Sequence, residues 1–322
     1  MRVLTFLLLL HCSFAQAEKV LLIESYHAEY PWDASYVKGI EEVLTSTAQL
    51  FRFQMDTKRL PKDQFESKAD EALSYYYSLQ PDVVVLGDDN ALNYMLPRLY
   101  KEPISIVFLG VNSNPRYLLY QYRGEAKVTG VLELPLYIKS LGDLSFIHPE
   151  RYFKVRVMFD SGVTSKIAAK HIQRQYEMIK DNLGIETEIL LLSTRSEWEA
   201  AIMGAEADGV AFIIIGLYHT LIDEGGESVP SDLVLQWTNE HSTIPLFSFW
   251  DFSVGAGKTS GGVVLFGESQ GKQAGTLINR ILAGERADQI PITIGEQGRA
   301  IYSTTEMQRW GLKPPTHWLP ID

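Results

Sequence analysis

Pro81-Asp82-Val83-Val84-Val85-Leu86-Gly87-Asp88-Asp89-Asn90 is the stretch on which the fold turns. A Pro-Asp turn releases four consecutive apolar, mostly β-branched residues, which stop at Gly87 before two carboxylates and an amide open a helical pattern. A strand without polar alternation is buried on both faces, and such strands belong to parallel sheets covered by helices on either side. The neighbouring segments repeat the form. Upstream, Val20-Leu21-Leu22-Ile23-Glu24 leads through Ser25-Tyr26-His27 and Pro31-Trp32 to a helix expected from near Ser35. Phe51-Arg52-Phe53-Gln54-Met55 follows, then Asp56 and a helix over 65–79. Downstream, Pro103 opens Ile104-Ser105-Ile106-Val107-Phe108-Leu109, which ends at Gly110-Val111-Asn112.

A second unit has the same rhythm. Lys154 to Phe159 ends at Asp160-Ser161-Gly162, and Thr164 or Ser165 starts a helix expected to run to about Leu183. Ile185 to Leu192 is the next strand, with Ser193-Thr194 at its tip and a short helix from about Ser196. Gly209 to Ile215 and Pro245 to Phe249 complete the set. The pattern predicts an α/β protein of two Rossmann-like parallel-sheet lobes joined by a multi-strand hinge. Crossovers are expected at 128–133, 250–255 and 290–294, which gives lobe one as 18–128 plus 249–288 and lobe two as 129–248 plus 289–322.

Composition supports two packed cores. The chain has 322 residues, 46% of them hydrophobic and 21% charged, enough for two domains of ordinary size. Its net charge of -11 argues against nucleic acid or an anionic membrane surface as a partner, and mildly favours a neutral, zwitterionic or cationic solute. Met1 and Arg2 precede an apolar run over Val3–Leu10, and Ala15-Gln16-Ala17 supplies a small-x-small cleavage pattern. Residues 1–17 therefore read as a signal peptide, with a periplasmic mature chain from Glu18. The run is too short to span a bilayer, so no direct membrane insertion is expected. His11 stands where a lipoprotein site would carry a small residue before Cys12. Cleavage removes Cys12, the single cysteine, and leaves stability to core packing.

In open parallel sheets the C-terminal strand ends face the ligand crevice. That rule gathers Ser25, Tyr26, His27, Trp32, Asp88, Asn90 and Asn112 from one lobe, and Asp160, Ser161, Thr164, Ser165 and Thr194 from the other. Trp250 and Asp251 stand near an expected crossing. Hydroxyls and amides can hold polar ligand groups, carboxylates accept from ammonium or sugar hydroxyls, and rings cover apolar surface. Structural roles compete with these: helix capping for Asp88 or Asn90, Ser161 and Thr164, hinge packing for Trp250, and a purely structural place for His27.

Enzyme motifs are missing. The seven histidines form no HExxH or close His/Cys cluster, so no metal site is expected. The first strand-to-helix turn, Ser25-Tyr26-His27-Ala28-Glu29, is no dinucleotide fingerprint, and there is no P-loop or G-x-S-x-G elbow. No cofactor and no enzymatic activity are expected. Gly267-Glu268-Ser269-Gln270-Gly271 reads as a helix start.

The opening Val20 to His27 with Pro31-Trp32 resembles that of bacterial extracytoplasmic substrate-binding proteins of ABC transporters with the type I periplasmic-binding fold. It is especially similar to the branch also used as input modules of sensor kinases. The resemblance continues through Asp56-Thr57-Lys58-Arg59, Pro81-Asp82 with Gly87 to Ala91, and Pro103 with Val107 to Asn112. It resumes at Thr129-Gly130-Val131, Asp160-Ser161, Trp198, Pro245, Trp250-Asp251, Gly271 to Gly275 with Ile281 to Gly284, Pro291 and Trp310 to Pro315. It implies a monomer that closes two lobes over a small polar or amino-acid-like solute and presents it to a membrane permease or a sensor kinase. Two alternatives stand beside this reading: a secreted adaptor whose surface contacts a membrane histidine kinase or similar receptor, and a small-molecule enzyme with an acid–base pair in the cleft.

Overall fold

The computed structural model describes residues 17–296 and 298–322, so the expected signal peptide, apart from Ala17, lies outside the described residues. Lobe one opens with β1 (Glu18–Glu24), α1 (Pro31–Val43), β2 (Ala48–Gln54), α2 (Phe65–Leu79), β3 (Val83–Gly87), α3 (Asp88–Leu99), β4 (Ser105–Val111), α4 (Arg116–Gln121) and β5 (Lys127–Leu132). Its strands are parallel in the order β2-β1-β3-β4-β5. The unbroken apolar runs do what their lack of alternation requires. Val20, Leu22, Val83 and Val85 enter the core beneath α1, whereas Leu21, Ile23, Val84 and Leu86 enter the core beneath α2 and α3. The first helix starts at Pro31 rather than near Ser35, because proline is favoured in a first helical turn and Trp32 and Asp33 are buried there.

Lobe two contains α5 (Tyr137–Leu144), β6 (Phe153–Asp160), α6 (Val163–Gln173), α7 (Tyr176–Leu183), β7 (Ile185–Leu192), α8 (Arg195–Gly204), β8 (Val210–Ile215), α9 (Ser231–His241), β9 (Leu246–Ser248) and β10 (Gly261–Val264). The parallel order is β7-β6-β8-β9. The single helix expected after Asp160 is two helices, broken at Arg174-Gln175.

The chain then returns. α10 (Gly267–Leu282) packs on α1, and β11 (Thr293–Ile294) extends the lobe-one sheet beside β5. The helices approach closely because side chains are missing where they cross: a Cβ on Gly39 would meet the Glu268 carbonyl, and one on Gly271 the Tyr36 carbonyl. Finally β12 (Arg299–Tyr302), α11 (Thr304–Arg309) and β13 (Leu319–Pro320) form a three-stranded sheet with β10 on lobe two.

This pairing moves the lobe boundaries read from the sequence. Residues 129–132 belong to lobe one, because β5 pairs with β4, and the crossing falls after it. Residues 249–264 stay with lobe two: Leu265 N donates to Phe249 O and Ser260 N to Leu246 O, so the crossing comes at 265–266 rather than 250–255. Residues 289–294 stay with lobe one through β11. Among the described residues no helix is long and apolar enough to cross a membrane.

Candidate functional site

Both sheets place their second strand outside their first, so the direction in which strands are added reverses between β1 and β3 in one lobe and between β6 and β8 in the other. Crevices open at these switch points. They face each other across a cavity of about 370 Å³. Lobe one contributes Tyr26, the segment 57–62, Phe65 and Asn90, while lobe two contributes 160–166, Thr220, Ile222, Gly226 and Ser228. The volume is that of a small-molecule site.

Ser25 holds the lobe-one edge together. Its hydroxyl donates to the Gly87 carbonyl at 2.5 Å and accepts from Ala91 N at 2.8 Å, so it ties the ends of β1 and β3 and serves the open end of α3. Thr57 Oγ1 donates to Ser25 O at 2.7 Å and accepts from Asn90 Nδ2 at 2.8 Å. This network sets the place of Lys58. The Lys58 side chain is 8% exposed, with its ammonium 4.3 Å from the Tyr26 ring centre and 4.6 Å from that of Tyr30. Burial lowers its pKa, opposed by the carboxylates of Asp160, Asp88, Asp33 and Glu133.

Lobe two is built around Asp160. One oxygen accepts from Gly162 N at 3.0 Å and Ser165 Oγ at 2.5 Å, and the other from His219 N at 2.8 Å and Thr220 N at 3.0 Å. The carboxylate thus fixes the turn into α6 and the loop after β8. The lobes meet where the Tyr26 hydroxyl lies 3.2 Å from Thr164 Oγ1 and the Tyr30 ring packs edge-on against His219, with centres 4.7 Å apart.

Behind the cavity wall lies a buried acidic layer. Asp88 has φ +70, a left-handed conformation uncommon outside glycine, and its Oδ1 receives only a 3.5 Å contact from the Tyr26 hydroxyl. Its Oδ2, both oxygens of Asp33 and Trp32 Nε1 are buried without hydrogen-bond partners. Burial, reinforced by Asp33, Glu133 and Asp89, raises the Asp88 pKa well above the carboxylate range. Glu133 follows β5 at the first crossing; it accepts from Trp250 Nε1 of lobe two at 2.9 Å and from Asn112 Nδ2 at 2.9 Å. Burial nevertheless pushes its pKa up to about 8.

The structure therefore sorts the residues that the strand-end rule gathered. Tyr26, Asn90, Asp160, Ser161, Thr164 and Ser165 line the cavity. Ser25, Trp32 and Asp88 lie behind its wall, and Asn112 and Trp250 belong to the crossing through Glu133. His27 sits 3.3 Å from Asp56, beside the cavity rather than in it. Thr194 caps α8 in a reciprocal box with Glu197, and Asp251 begins a single helical turn after Trp250, away from the cavity. Sequence reasoning missed Lys58, Arg59, Lys62 and Lys166 on the cavity wall, as well as Phe65 and Thr220. Among the described residues no three His, Cys, Asp or Glu side chains are grouped to hold a metal ion.

Two parallel α/β lobes joined by three chain crossings, with a cavity between their switch points, define the type I periplasmic-binding fold. Solved structures of ABC-transporter solute-binding proteins share it. An ABC domain in complex with L-Trp from Streptococcus pneumonia aligns with a TM-score of 0.67 at 15% identity, covering 93% of this chain and 96% of that one. A substrate-binding protein with adhesive properties from Clostridium difficile, in a ligand-free open structure, aligns at 0.62 and 15% identity over 95% and 99%. An ABC sugar transporter subunit from Rhodobacter sphaeroides aligns at 0.58 and 14% identity over 88% and 98%. At such identities the likeness is one of fold. No protein-family profile and no curated protein sequence matches the chain.

Proposed function

We propose that the protein captures a small solute between its lobes in the periplasm and presents it to a membrane permease, breaking no bond in the process. The observation that carries this reading is the cavity itself: two switch-point crevices, each built from strand ends, converge on one space and touch across it through Tyr26 and Thr164. Three crossings and a buried Trp250–Glu133 contact give the lobes a defined hinge. A solute that touches both lobes favours the closed arrangement by its differential affinity for it. The structural neighbours described as bound to L-Trp or as sugar-transporter subunits support solute capture as the use of this fold.

The test is a thermal-shift screen of the purified protein, refolded to remove carried-over ligand, followed by small-angle scattering with each hit. Stabilisation that rises with concentration and a smaller radius of gyration are the expected result. A broad library of neutral, cationic and anionic solutes that moves neither quantity would overturn the reading.

A further inference from the structure

We infer that the captured solute carries an anionic group, received between the Lys58 ammonium of lobe one and the open N-terminus of α6 in lobe two. This rests on the capture reading above. Charge is the first observation. The whole chain carries -11, yet the cavity wall holds Lys58, Arg59, Lys62 and Lys166 against a single carboxylate, Asp160. That carboxylate already accepts four protein hydrogen bonds and has little capacity left for a cationic ligand. Arg59 is committed to Asp56 through bonds of 2.8 to 3.1 Å, but Lys58 makes no ion pair or hydrogen bond among the described residues.

Lys58 is the second observation. A buried ammonium held only by two ring faces and by carboxylates beyond ion-pair distance is costly, and a ligand anion would relieve that cost. The residue lines the cavity, so an anion can reach it without rearrangement of the wall. The third observation lies opposite. α6 has Gly162 at its N-cap, where Asp160 accepts from Gly162 N and Ser165 Oγ but no side chain accepts from the amides of Val163, Thr164 or Ser165, and residues 161–166 line the same cavity. The backbone donors of Val163, Thr164 and Ser165 have no partner within the helix, and its positive end points to the space that Lys58 enters. Tyr26 joins the two sides: its ring lies under Lys58, and its hydroxyl touches Thr164. Around this polar centre Leu60, Pro61, Phe65, Val163 and Ile222 give the cavity apolar walls. The class that fits is a small anion with an apolar body, either a carboxylate or a phosphate monoester.

Isothermal titration with matched compounds tests the inference. Phenylacetate and phenyl phosphate present the two anions on one body; phenylacetamide and phenethylamine present neutral and cationic counterparts. At least one anion is expected to bind ten-fold or more tightly than the amide, and the better of the two identifies the headgroup. Lys58→Met should weaken that anion at least ten-fold while leaving the unliganded melting temperature unchanged or higher, since it removes an unpaired buried charge. Lys58→Arg should restore part of the affinity. Lys166→Ala, an exposed change, should weaken binding two- to three-fold.

Several results would overturn it. Tighter binding of the neutral or cationic compound, with closure, removes the anionic assignment but leaves solute capture standing. Undiminished anion binding by Lys58→Met places the group elsewhere. A lower melting temperature for unliganded Lys58→Met makes the lysine a structural counter-charge to Asp88 and Asp160. If no solute of any charge binds in the broad screen, the capture reading falls and this inference falls with it.

Discussion

Asp88 follows the end of β3 as the first residue of α3, Asp160 ends β6 just before α6, and each is almost fully buried. Their surroundings are opposite. Asp160 accepts four hydrogen bonds, three from backbone N–H groups, whereas Asp88 has one long contact, an orphaned oxygen and a left-handed backbone. A carboxylate at the end of a strand can therefore hold its lobe together or lie as a destabilised acid behind the cavity wall. The donors around it decide which, and those donors come from distant loops.

The largest effect expected from this contrast is at Asp160. Asp160→Ala strands the Gly162, His219 and Thr220 amides and the Ser165 hydroxyl, and urea unfolding should show a loss of about 4 kcal/mol. A loss below ~1 kcal/mol would break the comparison.

Glu133 lies between the two cases, with two donors but a raised pKa of about 8. Its folded state retains a proton that the unfolded chain releases near the ordinary carboxylate value. Its contribution is therefore fully present below that value and declines as pH rises through about 8. Between about pH 5 and 8 the protein should lose roughly 3–4 kcal/mol from this group. Glu133→Gln should flatten that slope, read by denaturant melts across pH. The amide oxygen can still accept from Trp250 Nε1, while the amide N–H takes the place of the oxygen that accepted from Asn112 Nδ2.

Asp88→Asn should go the other way from Asp160. Asparagine tolerates the left-handed backbone and removes a buried acid, so stability at alkaline pH should rise by about 1 kcal/mol. The gain should vanish on acidification through the raised pKa, where the native acid is itself neutral. A loss comparable to that at Asp160 would show that the two acids are equivalent after all.

The smallest effect belongs to the contact across the cavity. Thr164→Val removes the partner of the Tyr26 hydroxyl at a cost of about 0.5–1 kcal/mol, and scattering from the unliganded protein should show a slightly larger radius of gyration.

The same contrast explains what could be read from the sequence. Val83-Val84-Val85-Leu86 and Ile104 to Leu109 announce their strands because β-rich, mostly apolar runs bounded by turn residues have few other uses, and the strand-end rule leads directly to Tyr26, Asn90 and Asp160. The crossings were harder to place. Strands as short as β9, β10 and β11 carry no periodicity, and their allegiance depends on pairing with segments far away in the chain. Lys58 was invisible for a related reason. Asp56-Thr57-Lys58-Arg59 has the composition of a solvated loop, and what buries it is a pair of tyrosines some thirty residues earlier. The single signal was indirect: a strand end rich in hydroxyls and cations rather than glycine.

The return of α10 and β11 to lobe one also sets an order of events during synthesis. The glycine-lined helix crossing and the outer neighbour of β5 are both supplied by residues that emerge only after β6 through β10. The lobe that starts first must wait for its last helix and strand, leaving one flank of its sheet uncovered, while lobe two has its four parallel strands already in hand. Lobe two is closed later still, because β12 and β13, which complete its small sheet with β10, come from the segment after β11.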